Sequence, residues 1–231
     1  RLEYIFNTRE KYKPFISRKF KTHYFDKFKY SKKNINFTHE EIQRGKSELL
    51  EKFGLNTQDK FVCFLIRDSA FLKELYPNEN FDHHEYRNMD PYNFISAAKE
   101  LSRRGYYVFR MGKIQSTKFQ ANDSKIIDYA NSDKKTDFLD IYLSTNCSFF
   151  LTTCTGLDNI LPLFNVPTIE LPLSLYQCRQ FSNYLISPRI YYDHNNQKLS
   201  LNKLFEKDLI YRVKKNDFDS EKVRAADPDP E

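Results

Sequence analysis

Apolar residues fall along this chain in short blocks separated by polar stretches, and the blocks alternate between two kinds. "FVCFLIRD" (Phe61 to Asp68) is a continuous apolar run of strand length, and "YYVFRMG" (Tyr106 to Met111), "CSFFLTT" and "VPTIELP" read as further strands. Runs of this kind suit parallel strands covered on both faces. Between them the spacing changes to that of helices. "FTHEEIQRGKSELLEKFGL" predicts a helix with Thr38 as N-cap, Glu41 completing a capping box, and Gly54 as the residue that ends it. Its apolar face reads as Ile42, Leu49, Leu50 and Phe53. Asp90-Pro91 opens a second helix with Phe94, Ala97, Ala98 and Leu101 inward, and Thr136 caps a third. A short strand is expected at Ile126-Ile127, a helix over Gly156 to Phe164, and a helix capped by Ser200. Ser69 to Met89 lacks periodicity and reads as a long loop.

Strand and helix thus alternate, which predicts an α/β fold: a Rossmann-like parallel sheet with helices on both faces. Residues 60–205 read as that domain, 1–59 as a basic arm plus capped helix connecting to something else, and 206–231 as a tail. A chain of 231 residues can bury a substantial core. It has no apolar run of membrane-spanning length and no secretory signal pattern, so a cytoplasmic location is expected. It opens on Arg1, which reads as a fragment or a processed form.

Charge sharpens the picture at one end. The formal net charge is +6, much of it in the first 33 residues. A basic aromatic segment suits nucleic acid, an anionic membrane surface or an acidic partner, or is a solvated arm. The buried-strand pattern and the lack of an RNA-binding motif argue against nucleic acid. The 21 Phe and 16 Tyr, with many Lys, Asn and Ile, also fit drift in an AT-rich genome. Cys63, Cys147, Cys154 and Cys178 form no CxxC pair and read as buried thiols rather than zinc ligands.

Candidate chemistry gathers where strands end. Arg67 and Arg110 each close a strand, and guanidinium groups there suit phosphate oxygens or a salt bridge, Arg67 with Asp68 or Asp140. Lys113 would add a third cation. The turn Thr152 to Leu157 joins a strand to a helix amino end, whose unpaired N–H groups attract anions. Thr153 and Thr155 bring hydroxyls, and Gly156 lets a ligand approach the backbone. The turn is neither a GxGxxG fingerprint nor a P-loop. Cys154 as a phosphatase-type nucleophile would want an Arg where Ile160 stands. "FDHHEYRNMD" supplies His83, His84 and Glu85 for acid–base work or a solvated loop, and Asp128-Tyr129 could hold a nucleobase and sugar or simply pack.

Taken in order, "RDSAFL", "HEYRNMD", "LSRRGYYVFRMG", "KIIDYANSDKKTDFLDIYLSTNCSFFLTTCTGL", "LFNVPTIELP" and "ISPRIYYDHNNQKLSLNKLF" resemble a bacterial family of glycosyltransferases with a GT-B-like fold, found in cell-surface polysaccharide clusters. The likeness spans roughly Phe37 to Phe205. More distantly, the Arg67-Asp68 pair resembles the arginine motif of fucosyltransferase-type GT-B enzymes. The resemblance implies the carboxyl-terminal, donor-binding domain, with Thr153, Thr155, Gly156 and Leu157 at the diphosphate, Arg67 and Arg110 neutralising it, and Asp128 and Tyr129 near the base. Arg67, His84 and Glu85 would carry catalysis. It implies no metal and no cofactor beyond the nucleotide-sugar substrate. The acceptor would be a glycan or lipid-linked sugar, reached from the inner face of the membrane. Only about 60 residues precede the first strand, so an amino-terminal domain or partner chain would complete the fold. The rival expectation is a non-catalytic sugar-nucleotide or glycan-binding module of a larger assembly.

Overall fold

The computed structural model describes residues 35–81, 88–171, 183–187, 189–212 and 215–226. The basic arm, His83, His84, Glu85 and Cys178 lie outside the described residues.

Six strands form one parallel sheet: β1 (Phe61–Leu65), β2 (Tyr107–Arg110), β3 (Ile126–Ile127), β4 (Phe150–Thr152), β5 (Thr168–Glu170) and β6 (Tyr184–Ile186). Their order across the sheet is β3-β2-β1-β4-β5-β6, the doubly wound Rossmann-like order. Every residue of β1 is buried, as its unbroken apolar run requires of a central strand. Alternate side chains go to opposite faces. Phe61, Cys63 and Leu65 join one core cluster, while Val62, Phe64 and Ile66 join another.

Helices cover both faces. On the first lie α1 (His39–Phe53) and the later helix Asp137–Asn146. On the second lies the helix Ile95–Arg103, which follows a 3-10 turn at Pro91–Phe94. In chain order the helices are α1, α2 (Ala70–Leu75), α3 (Ile95–Arg103), α4 (Asp137–Asn146), α5 (Leu201–Glu206) and α6 (Lys215–Ser220). The caps are those the sequence predicts. The Thr38 side chain accepts from Glu41 N–H while Glu41 reaches back to the Thr38 N–H, Thr136 caps α4 through Leu139 N–H, and Ser200 caps α5 through Lys203 N–H.

Several expectations are corrected. Leu50 is 53% exposed, and Gly45 takes a place on the buried face of α1 instead. Ala97 is likewise exposed, whereas Phe94 and Ala98 are buried and Leu101 packs half-buried against the same core. Leu157–Phe164 is a 3-10 helix rather than an α-helix, with Pro162 inside it. Proline has no N–H to donate and its ring crowds the carbonyl four residues back, so an α-helical ladder is broken there. The polar stretch after β1 contains α2, a six-residue helix with no buried residue. Without a buried face it leaves no apolar period to detect.

Packing also draws the boundaries differently. Phe37, Leu49, Phe53 and Leu55 belong to the sheet's own core, so α1 packs as part of the Rossmann-like unit. Beyond β6, strands β7 (Ile190–Tyr192) and β8 (Arg224–Ala226) pair antiparallel. Tyr191, Leu199, Leu204, Leu209, Ile210, Phe218 and Val223 bury one another between them. A division at residue 205 therefore cuts through a small core, and the chain stays folded to Ala226 rather than ending as a tail. Among the described residues no helix is long and apolar enough to cross a membrane.

Candidate functional site

Strands β1 and β4 are neighbours although β2 and β3 lie between them in sequence. The direction of winding reverses there, and open α/β sheets bind ligands at the carboxyl ends of strands beside such a reversal. Two backbone links join the strand ends. Arg67 N–H donates to Thr153 Oγ1 at 2.8 Å, and Thr153 N–H donates to Leu65 O at 3.1 Å. The structure therefore brings together Arg67 and the turn after β4, which are far apart in sequence. Arg67 itself is half-buried.

That turn already has an acceptor of its own. Asp158, fully buried, accepts the Thr155 N–H at 2.9 Å and the Thr152 hydroxyl at 2.8 Å on Oδ2. The Thr152 hydroxyl oxygen in turn accepts the Cys154 N–H at 3.1 Å. Cys154 has φ 62, in the left-handed region that non-glycine residues avoid. Gly156, by contrast, sits at φ −67 and ψ −39, where any residue fits. A Cβ on Gly156 would meet nothing within 4 Å, so the space in front of it is open. Gly156 is exposed and Leu157 half-buried against the core.

The neighbouring strand ends are differently committed. Arg110 closes β2 with none of its side chain exposed. Its Nη2 donates to Gln115 Oε1 at 2.7 Å, Nη1 donates to Thr117 O, and Nη1 stands 3.6 Å from Asp128 Oδ1. Burial lowers its pKa, opposed by the carboxylates of Asp128 and Asp68. Asp128 Oδ2 accepts from Phe119 N–H at 2.8 Å and from Asn131 Nδ2 at 2.9 Å. Arg110 and Asp128 thus serve each other and one loop, away from the open face of the turn.

Tyr129 is buried in the core between Phe53 and Phe109, not displayed for a base. Its hydroxyl donates to Asp140 Oδ1 at 2.8 Å. Burial raises the pKa of Tyr129, and the Asp140 carboxylate adds to it. Burial raises Asp140 too, against the hydrogen bond from Tyr129. Lys113 pairs with Asp137 at 2.9 Å on the exposed surface, where such pairs contribute little. His84 and Glu85 lie outside the described residues.

Sequence reasoning gave no role to three charged groups at this edge, Glu170, Arg189 and Asp158, and named Asp68 only beside Arg67. Asp68 closes β1, with Oδ1 accepting Ala70 N–H at 2.9 Å and Oδ2 accepting Ser116 N–H at 2.7 Å. Glu170 ends β5 fully buried, and Arg189 is buried with Nη2 donating to Asn88 O at 3.1 Å. The signal for Glu170 was present, since it ends an apolar run as Arg67 does. Asp158 ends no run, and its bonds to Thr152 and Thr155 exist only in the folded turn.

Among the described residues no group of three or more His, Cys, Asp or Glu is placed to hold a metal ion. A hollow of about 380 Å³ lies in the small β7–β8 unit, lined by Asp193, His194, Lys203, Lys207 and Lys222 among others, and not at the sheet edge. Its opposite charges largely cancel, and the converging strand ends make the better candidate. No family model, no curated protein and no solved structure matches this chain.

Proposed function

We propose that this chain is the nucleotide-sugar-binding part of a glycosyltransferase of GT-B-like architecture. It would transfer a sugar from a nucleotide donor to a surface-glycan or lipid-linked acceptor. The observation that carries the reading is the juxtaposition of Arg67 with the Thr153–Leu157 turn at the β1–β4 reversal, held by the 2.8 Å bond between them. The bond is made by the Arg67 backbone N–H; in this reading its guanidinium and the helix-start N–H groups act together on a diphosphate.

In this reading the diphosphate lies over Gly156, where the space is open, and draws on the N–H groups of Gly156 and Leu157 rather than on that of Thr155, which Asp158 holds. Arg67 stabilises the charge that builds on the leaving diphosphate as the bond to the sugar's anomeric carbon breaks. A base from the His83–Glu85 segment, His84 or Glu85, takes the acceptor hydroxyl's proton. Arg110 and Asp128 act through the protein, and Tyr129 supports the core. No resident metal or cofactor is invoked. An amino-terminal domain or partner chain supplies the acceptor side, at the cytoplasmic face of the membrane.

A second reading, a sugar-nucleotide-binding module without turnover, is favoured by one observation: Asp158 already fills the inner seat of the turn. Thermal shifts against UDP-, GDP-, CMP- and ADP-sugars test both. A ligand at a hundred times its Kd stabilises by about 2.7 kcal/mol, or about 5–10 °C here. Arg67→Ala should abolish that shift. Unchanged nucleotide affinity in Arg67→Ala, measured by calorimetry, removes Arg67 from the site. Binding without release of free nucleotide, once the acceptor half and an acceptor are supplied, selects the module.

A further inference from the structure

The end of β1 is bordered on both sides. One border is the β4 turn just described. The other is the loop 112–119 after β2, which reaches across to β1. Asp68 Oδ2 accepts the Ser116 N–H at 2.7 Å and the Ser116 hydroxyl at 3.0 Å, so the middle of that loop is tied to the residue next to Arg67.

The loop is shaped from beneath by Arg110. One guanidinium nitrogen donates to Thr117 O and the other to Gln115 Oε1 at 2.7 Å, with Asp128 closing the charge at 3.6 Å. Asp128 then fixes the loop's far end through Phe119 N–H at 2.8 Å. Gly112, at φ 147, leaves room for Gln115 to fold back: an added Cβ would stand 2.4 Å from Gln115 Nε2. A fully buried guanidinium is costly to desolvate, and a loop needing only closure could be held by apolar contacts. Arg110 instead gives this loop fixed polar anchors at Gln115, Thr117 and, through Asp128, Phe119.

We infer that loop 112–119 is a preorganised second wall of the ligand cleft over Arg67, and that Arg110 is its positioning residue. Arg110 touches no ligand. It sets the Gln115–Ser116 segment opposite the Thr155–Gly156 turn, so that a nucleoside diphosphate enters between two walls already ordered. Ordering a wall on binding would cost affinity, and a prebuilt wall avoids that cost. The inference rests on the reading of the site as a nucleotide-sugar site.

The test uses the full chain with UDP, GDP, CMP and ADP as probes, and Kd is measured by calorimetry well below the unfolding transition. Arg110→Lys keeps the charge but cannot fork to two acceptors. It should weaken the nucleotide that binds wild type by at least about ten-fold. Arg110→Lys could fail to fold, so Ser116→Ala is the second variant: Ser116 is exposed and loses only one of its two bonds to Asp68. It should weaken binding about five-fold while its melting temperature stays within about 2 °C of wild type. Ser220→Ala, which removes a similar exposed hydroxyl bond to Asp217 O in the small unit, is the control and should change nothing. A merely structural loop would leave Kd in Ser116→Ala equal to wild type. Nucleotide binding with unchanged Kd in Ser116→Ala and in folded Arg110→Lys overturns the wall and leaves the site reading standing. No binding of any probe to wild type overturns both.

Discussion

Gly45→Ala offers a sharp test of how α1 is joined to the sheet, because two effects of known size oppose each other. In an isolated helix the change is favourable by about 1 kcal/mol, since glycine loses more backbone freedom than alanine. Here a Cβ on Gly45 would stand 2.2 Å from Cε2 and Cζ of Tyr142. Carbon atoms in contact sit about 3.5–4.0 Å apart, so about 1.3–1.8 Å of movement is required. The Tyr142 ring cannot swing away cheaply. It is 4% exposed, packs beside Phe37 at 5.4 Å, stacks on Phe138 at 5.6 Å, and its hydroxyl donates to Ile42 O at 3.4 Å. Overpacking of this kind costs about 1–3 kcal/mol and more where relief is blocked. The clash wins, with a net loss of about 1–3 kcal/mol and a melting point about 2–10 °C lower. In a Tyr142→Leu background the clash is gone and the sign should reverse, with Gly45→Ala gaining up to about 1 kcal/mol. Chemical denaturation of the four proteins gives the cycle. A higher melting point for Gly45→Ala alone would refute the argument. A separate early transition for α1 would show that the helix is not part of the Rossmann-like unit.

Other substitutions probe the site and its surroundings. Cys154→Gly relieves a left-handed non-glycine residue and should stabilise by about 1 kcal/mol, read as a melting-point rise of about 2–4 °C; a fall would mean that the thiol contributes more than the strain costs. Burial raises the folded pKa of Asp140, so its contribution to stability is present below the ordinary carboxylate range and lost as pH rises through the raised value. Asp140→Asn, which keeps an acceptor for the Tyr129 hydroxyl, should therefore gain on wild type as pH rises from below 3.8 to neutral, and a gain in the opposite direction would contradict the sign. Burial, together with the neighbouring Cys147, pushes the Cys63 thiol well up, and both are buried, whereas Cys154 is half-exposed. Native-state alkylation followed by mass spectrometry should mark Cys154 first among these three, and early marking of Cys63 would place it nearer solvent than its packing allows.

The sheet was legible because a central parallel strand has no polar side to confuse its pattern, and β1, β2 and β4 lie in largely apolar runs. Helix starts were legible because Thr38, Thr136 and Ser200 act locally on N–H groups three residues on. What escaped depends on tertiary partners. Gly45 is glycine because of Tyr142, ninety-seven positions away in a pattern that shows only a gap on a helix face. α1 joins the core through Phe37 and Leu49, a contact no local spacing records. The pairing of β7 with β8 closes a small core from segments separated by α5 and α6, so the last of these segments reads as a polar tail until its partner is in place.

The site obeys the same rule with higher stakes. Residue types at strand ends reveal what chemistry is present, but not whether the chain itself already supplies the partner. Two of the candidate anion seats are filled from within: Arg110 by Asp128, and the Thr155 N–H by Asp158. The second of these limits what the turn can offer: with the Thr155 N–H taken, a diphosphate there would have the N–H groups of Gly156 and Leu157 and a neighbouring cation. On the proposed reading that cation is Arg67, whose backbone N–H is bonded directly to the turn, and the helix start shapes the seat and adds its remaining donors.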